Sequence, residues 1–279
     1  MTARQEASAD GALDRPRPAV DLEIVVPAAN EEARIGRTLA VLIGVLDRLP
    51  FSTAVVVVDN ASTDRTAEIA RDSGTSRVPV HVLSCPAKGK GFAVRSGVAS
   101  GRSRWVGFMD ADLATDLGAL PVVVAELEAG RSAVIGSRAL ALSEVTARHR
   151  SVRRLGAHAF RSAVAAVVPG ISDTQCGFKF FDGDVARAVF AEVVDGGFAF
   201  DVELLARFQA RGLDVLEIPV CWEDQPGSTF RPTRDGWSSF YQVWRIARRT
   251  RPARSGLRSP VTSPALAVVG REAELATGA

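Results

Sequence analysis

Residues 54–60 read Ala54-Val55-Val56-Val57-Val58-Asp59-Asn60. Four consecutive valines after an alanine, with no polar alternation, mark a strand covered on both faces, as the strands of a parallel sheet are. The flanking sequence agrees. Leu22–Pro27 is a short apolar run closed by a proline and reads as a buried strand. Between the two, Arg34–Arg48 places Ile35, Leu39, Leu42, Ile43 and Leu46 at helical spacing. Asp64–Asp72 reads as a helix, Val80–Leu83 as a third strand, Phe92–Ser100 as a short helix and Arg104–Met109 as a fourth strand. Asp116–Ala129 is then a helix and Ala133–Gly136 a fifth strand. Such alternation predicts an α/β fold: a mostly parallel sheet with helices on both faces.

The second half is more mixed. Val152–Val168 is apolar at helical spacing, with Arg153, Arg154 and Arg161 between. Gly177–Phe181 and Val215–Val220 read as strands, and Asp201–Arg211 as a helix. Residues 1–20 mix Pro, Arg, Asp and Ala without periodicity, and 252–279 are rich in Pro, Ser, Gly and Ala, so both tails are expected to be disordered. One domain is expected over 21–251.

Composition narrows the function. A net charge of +2 in 279 residues argues against a general nucleic-acid binder. Three scattered cysteines, Cys85, Cys176 and Cys221, without a CxxC, read as a reduced, cytoplasmic protein. The first residues lack a signal-peptide core, and no apolar run is long enough to span a bilayer.

In parallel α/β sheets ligands bind beyond the C-terminal ends of the strands. Polar clusters follow three of the strands here: Asn30, Glu31 and Glu32; Asp59, Asn60 and Asp64; and Asp110 with Asp112. Each alone could be a helix cap or an Asx-turn. Gathered at one edge, the carboxylates repel one another unless a cation joins them, and a hard divalent ion with oxygen ligands, Mg²⁺ or Mn²⁺, would also bridge to phosphates. Asp110-Ala111-Asp112 is the sharpest cluster, because it directly follows the buried run Trp105–Met109 and could hold the ion against a diphosphate leaving group. Lys88-Gly89-Lys90-Gly91, with Arg95, is a basic, glycine-flanked turn entering a helix, where an anion is favoured. Its spacing does not match a P-loop.

These motifs come in an order that resembles glycosyltransferase family 2: Val25-Val26-Pro27-Ala28-Ala29-Asn30-Glu31-Glu32, Val58–Asp64, Gly89-Lys90-Gly91 with Arg95, Asp110-Ala111-Asp112 and Gly136-Ser137-Arg138. A second series, Asp173-Thr174-Gln175-Cys176-Gly177-Phe178-Lys179, Phe200–Leu205, Ile218-Pro219-Val220 with Trp222, and Gly227-Ser228, resembles the branch that makes dolichyl- or polyprenyl-phosphate glucose. The resemblance spans roughly residues 21–249. It implies a GT-A fold, a UDP-sugar donor (UDP-glucose before GDP-mannose), inversion at the anomeric carbon, and Mg²⁺ or Mn²⁺. Carried over by motif position, it puts Pro27, Ala29, Glu31 and Asp59 around the nucleoside, with Lys90 beside them. Asp110, Ala111 and Asp112 fall at the metal and diphosphate. Arg138 and one of Arg150, Arg153 or Arg154 would face acceptor or donor phosphates, and Asp173 and Gln175 the sugar. Two positions depart from the pattern: Ala29 stands where many members carry an aromatic residue, and Thr229 where the branch carries lysine.

Two acceptor classes remain open on these residues. A polyprenyl phosphate is already anionic and needs no general base. A soluble hydroxyl acceptor, such as a natural-product intermediate, needs a carboxylate to take its proton, and Asp173 is the candidate. If Asp110 and Asp112 were idle, the chain would be a nucleotide-binding module without transfer activity. The segment Gly236–Arg251 sets Trp237, Phe240, Tyr241, Val243, Trp244 and Ile246 on a broad face beside Arg245, Arg248, Arg249 and Arg251. Arg231 and Arg234 lie just before it. That pattern suits a helix lying in a membrane interface, or one packed on the domain with its arginines in water.

Overall fold

The computed structural model describes residues 19–146, 162–197, 199–225 and 242–250. The chain alternates β1 (Leu22–Ala28), α1 (Ile35–Leu46), β2 (Thr53–Asp59), α2 (Thr66–Arg71), β3 (Val80–Ser84), α3 (Lys90–Ser100) and β4 (Trp105–Met109). A 3-10 turn, Leu117–Ala119, runs into α4 (Leu120–Glu128), followed by β5 (Ala133–Ser137) and β6 (Glu144–Thr146). Then come β7 (Phe178–Asp182), α5 (Gly183–Phe190), α6 (Phe200–Ala210), β8 (Val215–Pro219) and β9 (Cys221–Glu223). Residues 242–249 are helical.

Seven strands form one sheet in the order β3-β2-β1-β4-β7-β5-β8. All neighbours are parallel except β7, which runs antiparallel to both β4 and β5. The short strands β6 and β9 pair with each other, parallel, apart from this sheet.

The valine run explains the layering. Val55 to Val58 are all fully buried. Alternation sends Val55 and Val57 to one face and Val56 and Val58 to the other. On the first face Val55 and Val57 join Ile24, Val26, Leu39, Leu42, Leu120 and Val123, so α1 and α4 cover it. On the second, Val56 and Val58 join Val25, Val94, Val98, Phe190, Leu204 and Phe208, so α3, α5 and α6 cover it. The predicted layers are therefore observed.

The topology places the site. From β1 the chain moves outward through β2 to β3, then returns to lay β4 on the opposite edge of β1. Connections diverge at β1 and β4, and the crevice beyond their C-terminal ends is where such sheets receive ligands.

Three features differ from the sequence reading. Helix α5 has no counterpart among the elements expected from sequence; it is only eight residues long, and its start is set by Asp182, whose carboxylate accepts the Val185 N–H at 3.0 Å. Strands β6 and β9 have three residues each and exist through mutual pairing. Finally, the broad apolar face expected over 236–251 is divided: Val243 and Ile246 are buried against Val164, Val202 and Leu205, whereas Trp244 is half exposed. Trp237, Phe240, Tyr241 and Arg251 lie outside the described residues, as do Arg150, Arg153, Arg154, Arg231, Arg234 and Thr229 and nearly all of both tails. Among the described residues no helix is long and apolar enough to cross a membrane.

Two glycines test the packing. A Cβ at Gly97 of α3 would overlap the Val25 side chain and press on Val58, whereas a Cβ at Gly44 of α1 meets nothing within 4 Å. Gly97→Ala is expected to destabilise by about 1–3 kcal/mol through overpacking. Gly44→Ala is expected to stabilise by about 0.5–1 kcal/mol through helix propensity. Urea unfolding of the two variants should move the midpoint in opposite directions; shifts of the same sign would contradict this packing.

Candidate active site

The loops after β1 and β2 are laced together before any ligand is considered. Asn30 has φ +57°, a conformation asparagine tolerates better than most residues. Its side-chain oxygen accepts the Thr63 N–H at 2.8 Å, and its own N–H donates to Ser62 Oγ at 3.0 Å. The Asp64 carboxylate accepts from the Thr66 hydroxyl, the Thr66 N–H and the Glu32 N–H. Glu32 in turn accepts the Arg65 N–H at 3.2 Å. Asn30, Glu32 and Asp64, three of the polar groups gathered at this edge, are thus loop-holding groups. Asp59 accepts the Ser62 N–H at 3.3 Å and stays half-buried. Pro27 is half-buried and Ala29 exposed at the end of β1. Glu31 pairs with Arg34; burial, with the charges of Asp112 and Asp64 adding to it, raises its pKa in spite of Arg34.

Asn60 ties a third loop to these two. It is buried, and its amide donates to the carbonyls of Cys85 (3.1 Å) and Ala87 (2.7 Å) while accepting the Gly89 N–H at 2.7 Å. Its backbone N–H donates to Ala28 at 2.8 Å. One side chain thereby satisfies three backbone groups of the turn that enters α3. Gly89 there has φ +142°, and a Cβ would run into the Gly196 carbonyl.

That turn delivers Lys90, the first residue of α3, whose ammonium lies 2.6 Å from Asp110 Oδ1. Burial alone would lower the Lys90 pKa, but Asp110 and Asp201 outweigh it and raise the value. Asp110 is also fixed through its backbone, its N–H donating to the Gly177 carbonyl at 3.1 Å. A Cβ at position 177 would overlap the Asp110 carboxylate. Ala111 turns its methyl into the first core, and its carbonyl accepts the Thr38 hydroxyl at 2.6 Å. Its side chain is therefore turned away from the crevice, and only its backbone could meet a ligand there. Asp112 Oδ1 accepts the Ala114 N–H at 3.0 Å. Burial, with the neighbouring Asp110 charge, raises the Asp112 pKa. The next residue, Leu113, is held at φ +55°, a conformation that costs a non-glycine residue about 1–3 kcal/mol and concentrates at ligand sites.

The donor set suits a hard divalent ion. Two carboxylates with oxygen ligands sit two residues apart at a strand end, and that of Asp110 is 39% exposed. No cluster of three or more metal-ligating side chains occurs among the described residues. Mg²⁺ typically uses one or two carboxylates and completes its shell with substrate phosphates and water. Asp110 and Asp112 would hold such an ion.

A second centre lies beyond β5. Arg138 and Asp173 form a bidentate pair, Nε–Oδ2 2.6 Å and Nη2–Oδ1 2.9 Å. The Asp173 carboxylate also accepts the backbone N–H groups of Arg138 and Gln175, each at 3.0 Å. Glu217 on β8 holds the same loop by accepting the N–H groups of Ser172 and Asp173. Burial would raise the Asp173 pKa, but Arg138 and these N–H groups outweigh it and hold it below the usual carboxylate value. The Arg138 guanidinium lies over the Trp222 ring, 5.3 Å from its centroid. Trp222 is carried by β9, and Thr115, just beyond the acidic triplet, bridges to it. Among the described residues the Gln175 Nε2 is buried without a hydrogen-bond partner.

Sequence reasoning assigned no role to Lys179 and Asp201. Lys179 on β7 is fully buried. Its ammonium donates to the Cys176 carbonyl (2.5 Å) and to Asp201 (2.6 Å) and lies 5.3 Å from the Phe108 ring centroid. A lysine inside an otherwise apolar strand was the signal available. The pair fixes the Cys176 carbonyl, one residue before the Gly177 carbonyl that accepts the Asp110 N–H.

Comparison with known proteins follows the same lines. Residues 23–190 match the model for glycosyl transferase family 2. A dolichyl-phosphate beta-glucosyltransferase of Drosophila melanogaster is 35% identical over 249 residues, with 81% of this chain and 75% of that one covered. The Homo sapiens protein of the same name is 33% identical over 231 residues, covering 77% and 71%. Among solved structures, glucosyl-3-phosphoglycerate synthase from Mycobacterium tuberculosis, in complex with Mn²⁺, UDP and glucosyl-3-phosphoglycerate, superposes with a TM-score of 0.60 at 22% identity. That match covers 85% of this chain and 82% of the other, and is a likeness of fold.

Breaking one partner of a buried ion pair is strongly destabilising, whereas replacing both by apolar groups can be neutral. Lys179→Met should therefore lower stability by about 3–5 kcal/mol in urea unfolding, and Lys179→Met/Asp201→Leu should recover at least half of that loss. A double variant no better than the single one would rule out this account of the pair.

Proposed function

The chain belongs to glycosyltransferase family 2, and from that premise we propose that it transfers glucose from UDP-glucose to a polyprenyl phosphate, with inversion at the anomeric carbon. The observation that carries the choice of acceptor is the Arg138–Asp173 pair. A general base works best with a pKa near the operating pH. Asp173 is shifted the other way, and both its oxygens are occupied by Arg138 and backbone donors. A lipid phosphate is already an anionic nucleophile and needs no base. It does need a cation to guide it, and Arg138, oriented by Asp173 and stacked on Trp222, supplies one. The names of the fly and human relatives support the same acceptor class.

In this reading the donor lies along the ends of β1, β2 and β4. Pro27, Ala29, Glu31 and Asp59 flank the nucleoside, and Lys90 stands beside the diphosphate. Asp110 and Asp112 would hold Mg²⁺ or Mn²⁺, which would supply positive charge to neutralise the diphosphate as UDP departs. Gln175 donates to the sugar. Asp173 is a positioning residue that fixes Arg138. The exposed face of residues 242–249, with Trp244 and the arginines Arg245, Arg248 and Arg249, would meet anionic lipid headgroups. Arg248 stacks on Trp244, 4.9 Å from the ring centroid. An indole at headgroup depth beside arginines is the composition of an interfacial contact.

The test is lipid-extractable label from UDP-[14C]glucose, Mg²⁺ or Mn²⁺ and a short polyprenyl phosphate. Asp110→Asn and Asp112→Asn should each lose roughly a hundredfold in rate, the several kcal/mol an ion contributes to leaving-group stabilisation. If no common nucleotide sugar labels the lipid while a soluble alcohol takes the sugar with release of UDP, the acceptor reading is wrong.

The role of Asp173 is tested by pH. Asp173→Asn should raise the acceptor KM by releasing Arg138, yet keep the acidic limb of the wild-type pH–rate profile. Loss of that limb would instead make Asp173 the base. Arg138→Lys should not restore function, because an ammonium cannot make the bidentate contact. Stability follows the sign of the shift. A carboxylate whose pKa is depressed by folding stabilises fully above its unfolded pKa of about 3.9 and loses that contribution as the pH falls through the lower folded value. The stability gap between wild type and Asp173→Asn should therefore narrow at acid pH.

A further inference from the structure

The Lys90 ammonium is 2.6 Å from the same Asp110 carboxylate that would hold the divalent ion. An ammonium and a metal ion cannot both use that oxygen undisturbed. We propose that Lys90 is a resident counter-cation of Asp110, which opposes binding of the divalent ion alone and passes to the donor diphosphate when nucleotide and ion arrive together. The inference rests on the metal–diphosphate reading of the site given above.

Geometry limits what Lys90 can do. Its backbone is pinned on both sides: Gly89 N–H donates to Asn60 at 2.7 Å, and Gly91 N–H donates to the Gly196 carbonyl at 2.9 Å. Its ammonium faces two aromatic rings, 5.8 Å from the Phe108 centroid and 5.9 Å from that of Phe200. The side chain is only 16% exposed. It therefore cannot retreat into solvent when another cation claims Asp110. What remains is a short rotation at the crevice, between Asp110 and whatever anion lies beside it.

Charge counting gives the direction of the effect. Phe108 has two ammonium groups about it, Lys90 and Lys179. Asp110, Asp112 and Asp201 are the facing carboxylates, and Asp201 is already paired with Lys179 at 2.6 Å. With all five ionised the cluster carries one net negative charge. A divalent ion added alone would leave it net positive in a site that is mostly buried, which is unfavourable. A diphosphate arriving with the ion restores the balance and gives Lys90 an anion to contact. Without Lys90 the cluster would carry two negative charges, matched to the ion by itself. Removing a lysine should therefore tighten metal binding while weakening nucleotide binding, a pair of opposite signs that simple damage to the site would not produce.

The experiment titrates Mn²⁺ into the full chain, followed by electron paramagnetic resonance, with and without UDP. Lys90→Met keeps an apolar stem beside the rings, and Lys90→Gln serves as a second variant should the first not fold. Either should bind Mn²⁺ without UDP about fivefold or more tightly than wild type, the lower end of ordinary coupling between two sites. At saturating Mn²⁺ either should bind UDP about tenfold more weakly, the loss of one charge-assisted hydrogen bond. Lys90→Arg keeps the charge and should bind Mn²⁺ alone as wild type does. Unchanged or weaker Mn²⁺ binding in folded Lys90→Met or Lys90→Gln overturns the proposal. Failure of the wild type to bind Mn²⁺ even with UDP would instead remove the metal reading on which the proposal stands.

Discussion

Strand β1 lies where the chain reverses its direction of travel: after moving outward through β2 to β3, it crosses back to lay β4, parallel, on the other edge of β1. Its register with β2 runs from Leu22–Thr53 to Ala28–Asp59, and on the other edge Leu22 pairs with Trp105. Everything in the donor half follows from this one constraint. Three C-terminal strand ends are brought to a common edge, and the loops leaving them must share a small space. They do so by using polar side chains as backbone partners. Asn30 serves the loop after β2, Asp64 the loop after β1, and Asn60 the turn into α3. The acidic appearance of the edge is in good part the hydrogen-bonding demand of three loops, met locally. Only Asp110, Asp112, Asp59 and Glu31 are left as candidates for a ligand.

The two faces of the sheet play different parts. The face under α1 and α4 is an apolar core of leucine, isoleucine and valine. The face under α3, α5 and α6 carries an aromatic cluster, in which Phe108 contacts the rings of Phe181, Phe190 and Phe200. Buried charge is concentrated beside that cluster: Lys179 and Asp201 are both almost fully buried, and Lys90 lies over the same Phe108 ring. Burying an ion pair is seldom a net gain in stability over well-packed hydrophobic residues. Aromatic faces lessen the penalty for the two ammonium groups. The residual cost makes sense if the charges organise the crevice above them, since Lys179 holds the Cys176 carbonyl and the carbonyl of the next residue, Gly177, accepts the Asp110 N–H.

What the sequence disclosed and what it concealed divide along physical lines. Strands covered on both faces are legible because burial demands an unbroken apolar run, as at Val55–Val58. The α1 helix is legible because its stripe repeats at 3.6 residues through Ile35, Leu39 and Leu42. The antiparallel direction of β7 is not, because Phe178–Asp182 reads the same in either direction. Nor are β6 and β9, whose pairing joins Glu144 to Cys221 across 77 positions with little periodic signal of its own. For the candidate site, Asp110 and Asp112 stand out by their place after a strand, and Arg138 and Asp173 by their motifs. Their mutual engagement was not legible, because a carboxylate 35 positions from an arginine says nothing about which partner it will choose. Ala111 shows the same limit from the other side: it lies in the turn just beyond β4, and its methyl packs into the core.

That engagement bears on the chemistry of family members generally. A carboxylate near the acceptor side of a glycosyltransferase invites assignment as a base, since a hydroxyl nucleophile requires one. Here four donors converge on the two oxygens of Asp173. A proton acceptor must keep a lone pair directed at the nucleophile, and a bidentate arginine removes that freedom. The same contact makes Arg138 more useful, because a guanidinium locked by one carboxylate and stacked on one indole presents a fixed direction to an anion at little further cost in side-chain entropy. In the proposed reading, the Arg138–Asp173 pair gives up a base for a pre-oriented cation, a trade that suits an acceptor arriving already charged.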